Sequence, residues 1–363
     1  MKKNYQWFII TLMLLSACQK PVQGVLFNLP SETTATSRNV PLTEMLGDYR
    51  FVQLEVVDKS LVGLINKVIK RDGVFYILCE SQRILSFDDQ GKFLNVFNRY
   101  GRGDGEYGTI WDFNIYTSGG KTEIWLCDSK TIKIYDASTF ECKRSIQFDC
   151  FINKFVKSGE RLLLLTGQND NTLSISDLHG VIIDTYLERD PGSIIFRPVN
   201  FVQWQDKYIY QIGVNSSCVV YDSRKDIFEE SLLFEGPSNV YTKEANEELS
   251  LKYREEAVFH MDKYILLRSF RNINGNTVAL FKDGAKSYLY TGKINNPAAL
   301  WYIDIANISN DIKECKNLNF LNGLIIGDSD ESLLSIVEVL DIKWPDNIDA
   351  NNQNPAIIEW KMK

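Results

Sequence analysis

From about residue 48 onward the chain is a succession of short apolar runs rich in Val, Ile, Leu, Tyr and Phe, each broken by Gly, Asp or Asn. Runs of that length and content predict strands rather than helices. The runs also repeat. Phe75-Tyr76-Ile77-Leu78-Cys79-Glu80-Ser81 has a counterpart in Ile124-Trp125-Leu126-Cys127-Asp128-Ser129, and further copies lie at 161–165, 208–210, 264–267 and 323–326. A second run follows each of the first five copies and closes on a turn, at Phe87-Asp88, Tyr135-Asp136, Ser176-Asp177, Tyr221-Asp222 and Phe281-Lys282, spaced 48, 41, 45 and 60 residues apart. A third run precedes the copies, with Ile65-Asn66-Lys67 and Ile152-Asn153-Lys154 in matching positions.

Several short strands per repeat of ~40–50 residues mark propeller blades, which bury their faces only by stacking in a closed ring. Six units fit, starting near residues 62, 109, 150, 198, 256 and 298. Residues 50–57 alternate as a strand without a unit of their own, so they are predicted to complete the last blade and remove its open edge. Two segments depart from the strand texture. Tyr241, Ala245, Leu249 and Tyr253 recur every fourth residue, which predicts an amphipathic helix inserted between blades four and five. Leu333, Ile336, Val337 and Leu340, behind the capping pair Asp328 and Glu331, predict a second helix over 329–341. A tail strand is expected from Pro355 to Lys361. The predicted fold is therefore all-β: a six-bladed β-propeller with a helical insertion and a short C-terminal helix.

The first residues change the picture. Lys2 and Lys3 precede an apolar run that ends in Leu15-Ser16-Ala17-Cys18. A basic start, a short apolar stretch and small residues before a cleavage point form an export signal, and the run is shorter than the ~20 residues that span a bilayer. A cysteine directly after Ser-Ala reads as a lipidation site. The expected organisation is a leader at 1–17, lipid on Cys18, a flexible tether at 18–41 and a propeller at 42–363. The expected location is the cell envelope of a Gram-negative bacterium. No acid follows Cys18 closely, which favours the periplasmic side over the cell surface.

The formal charge of −7 falls to about −9 once Lys2 and Lys3 leave with the leader. That balance argues against nucleic acid, whose binding needs basic surfaces, and against electrostatic docking on anionic lipid. The expected partners are the membrane, through Cys18, and a glycan or protein ligand. Besides Cys18, six cysteines occur without a CxxC pair, so they read chiefly as small buried residues rather than zinc ligands.

The stretch Asn98-Arg99-Tyr100-Gly101-Arg102-Gly103-Asp104-Gly105-Glu106-Tyr107 joins the first two units. It resembles the Gly-x-Gly-Pro-Gly-Glu-Tyr segment of a large family of six-bladed β-propeller lipoproteins from gut Gram-negative anaerobes, themselves distantly similar to NHL-repeat propellers. The Phe51-Val52-Gln53-Leu54-Glu55 strand and the Asn354-Pro355 start of the tail are similar to that family's ends. Asp104 stands where the family usually has proline. The resemblance implies an extracytoplasmic propeller and no particular reaction.

Two groups of residues are candidates for binding. Arg99, Arg102 and Tyr107 sit in or beside the glycine-rich connection, on a face where propellers bind ligands; the structural reading of the same loop is a tight turn in which Glu106 accepts backbone N–H groups. Asn66, Lys67, Asp112, Asn153 and Lys154 fall on predicted innermost strands, with Trp111 and Trp301 nearby. Polar side chains are expected in a wet channel. They also suit a ligand, with amides and acids for hydroxyls and tryptophan faces for a sugar ring or peptide. Asp112, Asn66 and Asn153 imitate the acid-and-amide set with which some propeller hydrolases hold a divalent cation, which gives the rival reading: a metal-assisted extracytoplasmic hydrolase or lyase at the channel mouth. Only two histidines occur. His179 reads as a turn residue and His260 as an inner-strand packing residue, so enzymes built on histidine clusters are disfavoured, and no Gly-x-Ser-x-Gly nucleophile elbow is present.

Overall fold

A computed structural model describes residues 26–34, 36–167, 170–188, 201–294, 299–325, 327–345, 350 and 353–362. The leader and Cys18 lie outside the described residues. Two short strands, β1 (Phe27–Asn28) and β2 (Val40–Pro41), and the helical turn α1 (Leu42–Leu46) precede β3 (Asp48–Gln53).

Five blades follow in chain order. Blade one is β4 (Ile65–Arg71), β5 (Val74–Cys79), β6 (Arg83–Asp88) and β7 (Phe93–Phe97); blade two is β8 (Asp112–Ser118), β9 (Lys121–Asp128), β10 (Thr131–Asp136) and β11 (Cys142–Gln147). Blade three is β12 (Phe151–Ser158), β13 (Arg161–Gly167), β14 (Asn171–Asp177) and β15 (Ile182–Glu188). Blade four is β16 (Val202–Trp204), β17 (Lys207–Gln211), β18 (Ser217–Asp222) and β19 (Ile227–Leu232). The short β20 (Phe234–Glu235) and α2 (Lys243–Tyr253) come next, and blade five is β21 (Ile265–Ile273), β22 (Asn276–Asp283), β23 (Lys286–Lys293) and β24 (Trp301–Asp304). After β25 (Ile308–Ser309), the hydrogen-bonded sheet of blade six is β27 (Leu333–Val337), β28 (Ala356–Lys361) and the early strand β3, with β26 (Gly327–Ser329) packed beside β27 at its inner side and hydrogen-bonded to β4.

The ring closes as the sequence predicts. β28 pairs antiparallel with β3, placing Trp360 opposite Tyr49 and Ile358 opposite Phe51. β26 pairs parallel with β4, which joins the innermost strands of blades six and one. Parallel alignment of these inner strands gives the propeller two distinct ends. Every innermost strand begins at one end, here the upper face, and finishes in a hairpin at the other, the lower face. Turns between second and third strands, such as Glu80–Gln82, return to the upper face.

Apolar side chains alternate across each blade and pack against the next blade on both sides. Phe75, Ile77 and Leu85 of blade one meet Leu334 and Ile336 of blade six on one face, while Ile69, Leu78 and Ile84 meet Phe113, Ile115 and Leu126 of blade two on the other. Burying both faces explains why the strands read as near-continuous apolar runs. Glycine is required where blades touch at the rim. Gly180 has φ +92° and Gly91 has φ +82°; a Cβ on them would lie 2.4 Å from Gln147 O and 2.2 Å from Gln53 O respectively.

Several expectations need correction. Blade six begins at residue 327, not 298, because 305–325 is an inserted run of 3-10 turns and β25 packed against α1 and β27. The helix predicted over 329–341 is instead the strand β27 followed by a 3-10 turn at Val339–Asp341. All five residues of β27 are buried, so its apolar run has no polar face to reveal a period of two. The insertion before blade five does contain a helix, α2, capped by Thr242 Oγ1 accepting from Ala245 N at 3.2 Å. From Leu26 on, part of the expected tether is instead packed on the propeller. Leu26, Phe27 and Leu29 are buried, β1 pairs with β20, and Phe27 stacks on Phe234.

Candidate functional site

The innermost strands carry a polar cluster just below the upper face. Lys67 on β4 is 5% exposed and Asp112 on β8 2% exposed. The Lys67 ammonium donates to Asp112 Oδ1 at 2.8 Å, Phe113 O at 2.8 Å and Asn114 Oδ1 at 3.2 Å. Asp112 Oδ2 accepts from Phe155 N at 3.1 Å, and Asn114 Nδ2 donates to Phe155 O at 2.7 Å. Three blades are thus tied by one ion pair, its charges satisfied on both sides. Lys154, the blade-three counterpart of Lys67, has its ammonium pushed down to about 8 by burial, with Lys67 and Arg271 adding to the effect and Asp112 opposing it. Both lysines follow a β-bulge, at Asn66 and at Asn153, so the repeated Ile-Asn-Lys tripeptide is the signature of a kink that turns the lysine inward.

The other sequence candidates separate. Asn66 Oδ1 accepts from Ser81 N at 2.7 Å and so fixes a turn. Trp111 stands at the head of β8, 49% exposed, with its ring edge-on to Phe151 at 4.8 Å. Tyr107 is fully buried; its hydroxyl donates to Gln82 O at 2.7 Å and burial pushes its pKa up to about 12, so it is a core residue that no ligand on the surface touches. Arg99 donates to Phe140 O at 2.8 Å, and Arg102 is exposed in the loop. Within that loop Glu106 Oε2 accepts from Gly103 N at 2.7 Å, the structural role its sequence suggests. Trp301 belongs to β24, the outermost strand of blade five, and is far from the inner strands with which it was grouped. His260 ends a 3-10 turn and stacks on Tyr253 at 3.7 Å; it is not on an inner strand. His179 lies in a turn, its N–H bonded to Asp177 Oδ1. Among the described residues no group of three or more His, Cys, Asp or Glu side chains is placed to hold a metal ion.

The large cavity opens at the opposite end. It holds about 550 Å3 on the lower face of the channel, among the ends of the inner strands and their hairpins. Its walls include Arg71, Asn114, Tyr116, Tyr208, Arg271 and Asn272, with Phe201 and Trp204 on the blade-four side and Asp328 and Asp330 on the blade-six side. Arg71 is ion-paired with Asp330. Arg271, 7% exposed, donates to Gly327 O at 3.2 Å and Phe270 O at 3.0 Å. Tyr116 and Tyr208 are braced on one backbone segment: Lys157 N donates to Tyr116 Oη at 2.7 Å, and Tyr208 Oη donates to Lys157 O at 3.2 Å. The cavity combines two guanidinium groups, two carboxylates, amides and aromatic walls, in a volume suited to a small polar ligand. None of the residues nominated from the sequence lines it. The signal for it was present in Arg71-Asp72-Gly73 and Asn274-Gly275, turn dipeptides that mark where inner strands end.

Comparison with known proteins places the fold and leaves the chemistry open. A family model described as a domain of unknown function, DUF4934, matches residues 26–363. A solved structure of a "Putative exported protein" from Bacteroides fragilis NCTC 9343 is similar at a TM-score of 0.71 and 14% identity, over 93% of this chain and 99% of that one. A luciferin-regenerating enzyme follows at 0.45 and 11%, over 86% and 95%, and the WD40 repeats of RRP9 at 0.46 and 9%, over 88% and 98%. No curated protein matches the chain in sequence.

Proposed function

The chain belongs to the DUF4934 family, a domain of unknown function, and for this member we propose an extracytoplasmic binding platform, lipid-anchored through Cys18, that holds a glycan in the cavity of the lower face. The cavity carries the reading. Guanidinium, carboxylate and amide groups supply the paired donors and acceptors that sugar hydroxyls need, and Trp204 and Tyr208 offer apolar ring faces. The rigid ring fixes those groups in place, so little ordering energy is spent on binding. The leader and Ser16-Ala17-Cys18 support export and anchoring, and the description of the Bacteroides fragilis neighbour as exported agrees. The lack of acids next to Cys18 favours the periplasmic side of a Gram-negative envelope over the cell surface.

The test is a glycan screen on the mature chain with Cys18→Ser, followed by calorimetry on the hits. Arg71→Ala and Trp204→Ala are expected to weaken binding at least tenfold, and Trp111→Ala to leave it unchanged. Loss of binding with Trp111→Ala alone would move the site to the upper face and overturn the assignment.

A further inference from the structure

The upper face carries apolar side chains that nothing in the propeller covers. Leu61 and Leu64 lie in the connection from blade six to blade one, 50% and 72% exposed. Trp111 precedes blade two. The insertion before blade five adds Leu251 at 85%, Val258 at 48% and Phe259 at 77%. Hydrogen bonds fix the height of these segments. Leu64 O accepts from Glu80 N and Leu61 O from Arg83, both at the upper turn of blade one; Trp111 N donates to Cys127 O at the upper end of β9. The insertion leaves from Tyr241, bonded to Ile265 O at the start of β21, and its inward side packs on Val214 in the upper turn of blade four. Helix α2 therefore has its inner side seated by Leu249, Tyr241 and Met261, while Leu251 and Phe259 point away from the protein.

The chain itself says what lies opposite. Leu26 N bonds to Leu232 O and Phe27 N to Leu233 O, at the point where blade four runs into that insertion. Leu233 N in turn bonds to Ser216 O, in the upper turn of the same blade. Eight residues separate Leu26 from Cys18, a reach of at most about 28 Å even when fully extended. A chain of this length folds to roughly 50 Å across. A lipid on Cys18 therefore cannot let the propeller turn over freely, and the part nearest the bilayer is the upper face beside the insertion.

We propose that the upper face rests on the membrane, with Leu64, Leu251, Val258 and Phe259 in the interfacial layer of the bilayer that holds the Cys18 lipid. The acyl chains on a lipidated cysteine anchor stably by themselves when there are two or more; what these side chains add, without basic charge, is a fixed orientation of the propeller on the bilayer. The lower face and its cavity then point into the aqueous space. This inference rests on the anchored reading given above, though not on the identity of any glycan.

The experiment uses the full chain, expressed with its leader, extracted and reconstituted in phosphatidylethanolamine–phosphatidylglycerol vesicles. An azide-bearing residue at position 64, 259 or, as a lower-face control, 121 takes an environment-sensitive dye; all three positions are solvent-exposed. A metabolic fatty-acid label reports lipid on Cys18 independently. The expected result is a blue shift of dyes at 64 and 259, quenched by bromine on the lipid acyl chains, with the dye at 121 unaffected. Lipidated protein whose dyes at 64 and 259 remain in water would overturn the docking while leaving the anchor intact. Absence of the fatty-acid label would overturn both. Dyes shielded in intact envelopes but not in vesicles would assign the face to a protein partner and overturn the bilayer.

Discussion

Asp112→Ala offers the sharpest test of how the inner strands are held. Among the described residues, the change removes the only carboxylate bonded to the Lys67 ammonium and the acceptor of Phe155 N. Lys67 keeps Phe113 O and Asn114 Oδ1, which carry no charge to offset its own. Stranding one member of a buried pair costs about 3–5 kcal/mol, and the orphaned N–H adds about 1 kcal/mol. At ~2.1 cal/mol/K per residue, a chain of this size unfolds with an entropy of about 0.7 kcal/mol/K, so the loss lowers Tm by roughly 6–8 °C. Thermal unfolding followed by near-ultraviolet circular dichroism at pH 7 measures it. The double variant Asp112→Ala/Lys67→Met removes both charges and should recover more than half of the loss, because an apolar pair of similar volume is often as stable as an ion pair. A single change that shifts Tm by less than about 2 °C, or a double variant less stable than the single, would refute the reasoning.

Two further changes probe other parts of the ring. Gly180→Ala adds a Cβ at positive φ and against Gln147 O, with an expected cost of about 2 kcal/mol or more; an unchanged denaturant midpoint would show that the rim contact between blades two and three is loose. Lys154→Gln tests the charge in the channel. Its folded-state pKa is about 8, below that of the unfolded chain, so the unfolded state binds more protons between the two values and raising the pH favours folding. The penalty is full below about pH 8 and fades above it; wild type should therefore gain roughly 1–3 kcal/mol on the variant between pH 7 and pH 10, and a constant difference in urea titrations across that range would contradict the burial of this ammonium.

The blades were legible because their second and third strands bury both faces and end in the same turns, as Phe87-Asp88 and Tyr135-Asp136 do. Blade six was misplaced for a physical reason. The inserted 305–325 segment stands where the last unit would start on the repeat spacing, and the fully buried β27 offers no alternation to distinguish strand from helix. Half of the polar cluster was visible in the repeated Ile-Asn-Lys tripeptide. Its closure was not, since Lys67 and Asp112 are 45 residues apart on different blades and meet only through ring curvature. The cavity has no repeated motif to mark it, because the repeats lie at strand beginnings on one face while Arg71, Arg271 and Asp330 stand at or near strand ends.

The last blade is built from both ends of the chain: β3 near the start completes a sheet whose middle strand, β28, ends at residue 361. Until that final segment is available, β3 has no partner and the outer edge of β27 stays open. Contacts separated by some three hundred residues form slowly, so closing the ring is a late step of folding that waits on the tail strand. Loss of the β28 residues would leave five assembled blades and an unlatched ring, with the edges of β3 and β27 open to proteolysis. The integrity of the whole ring thus hangs on one strand, β28, which lies some three hundred residues from the partner that it latches.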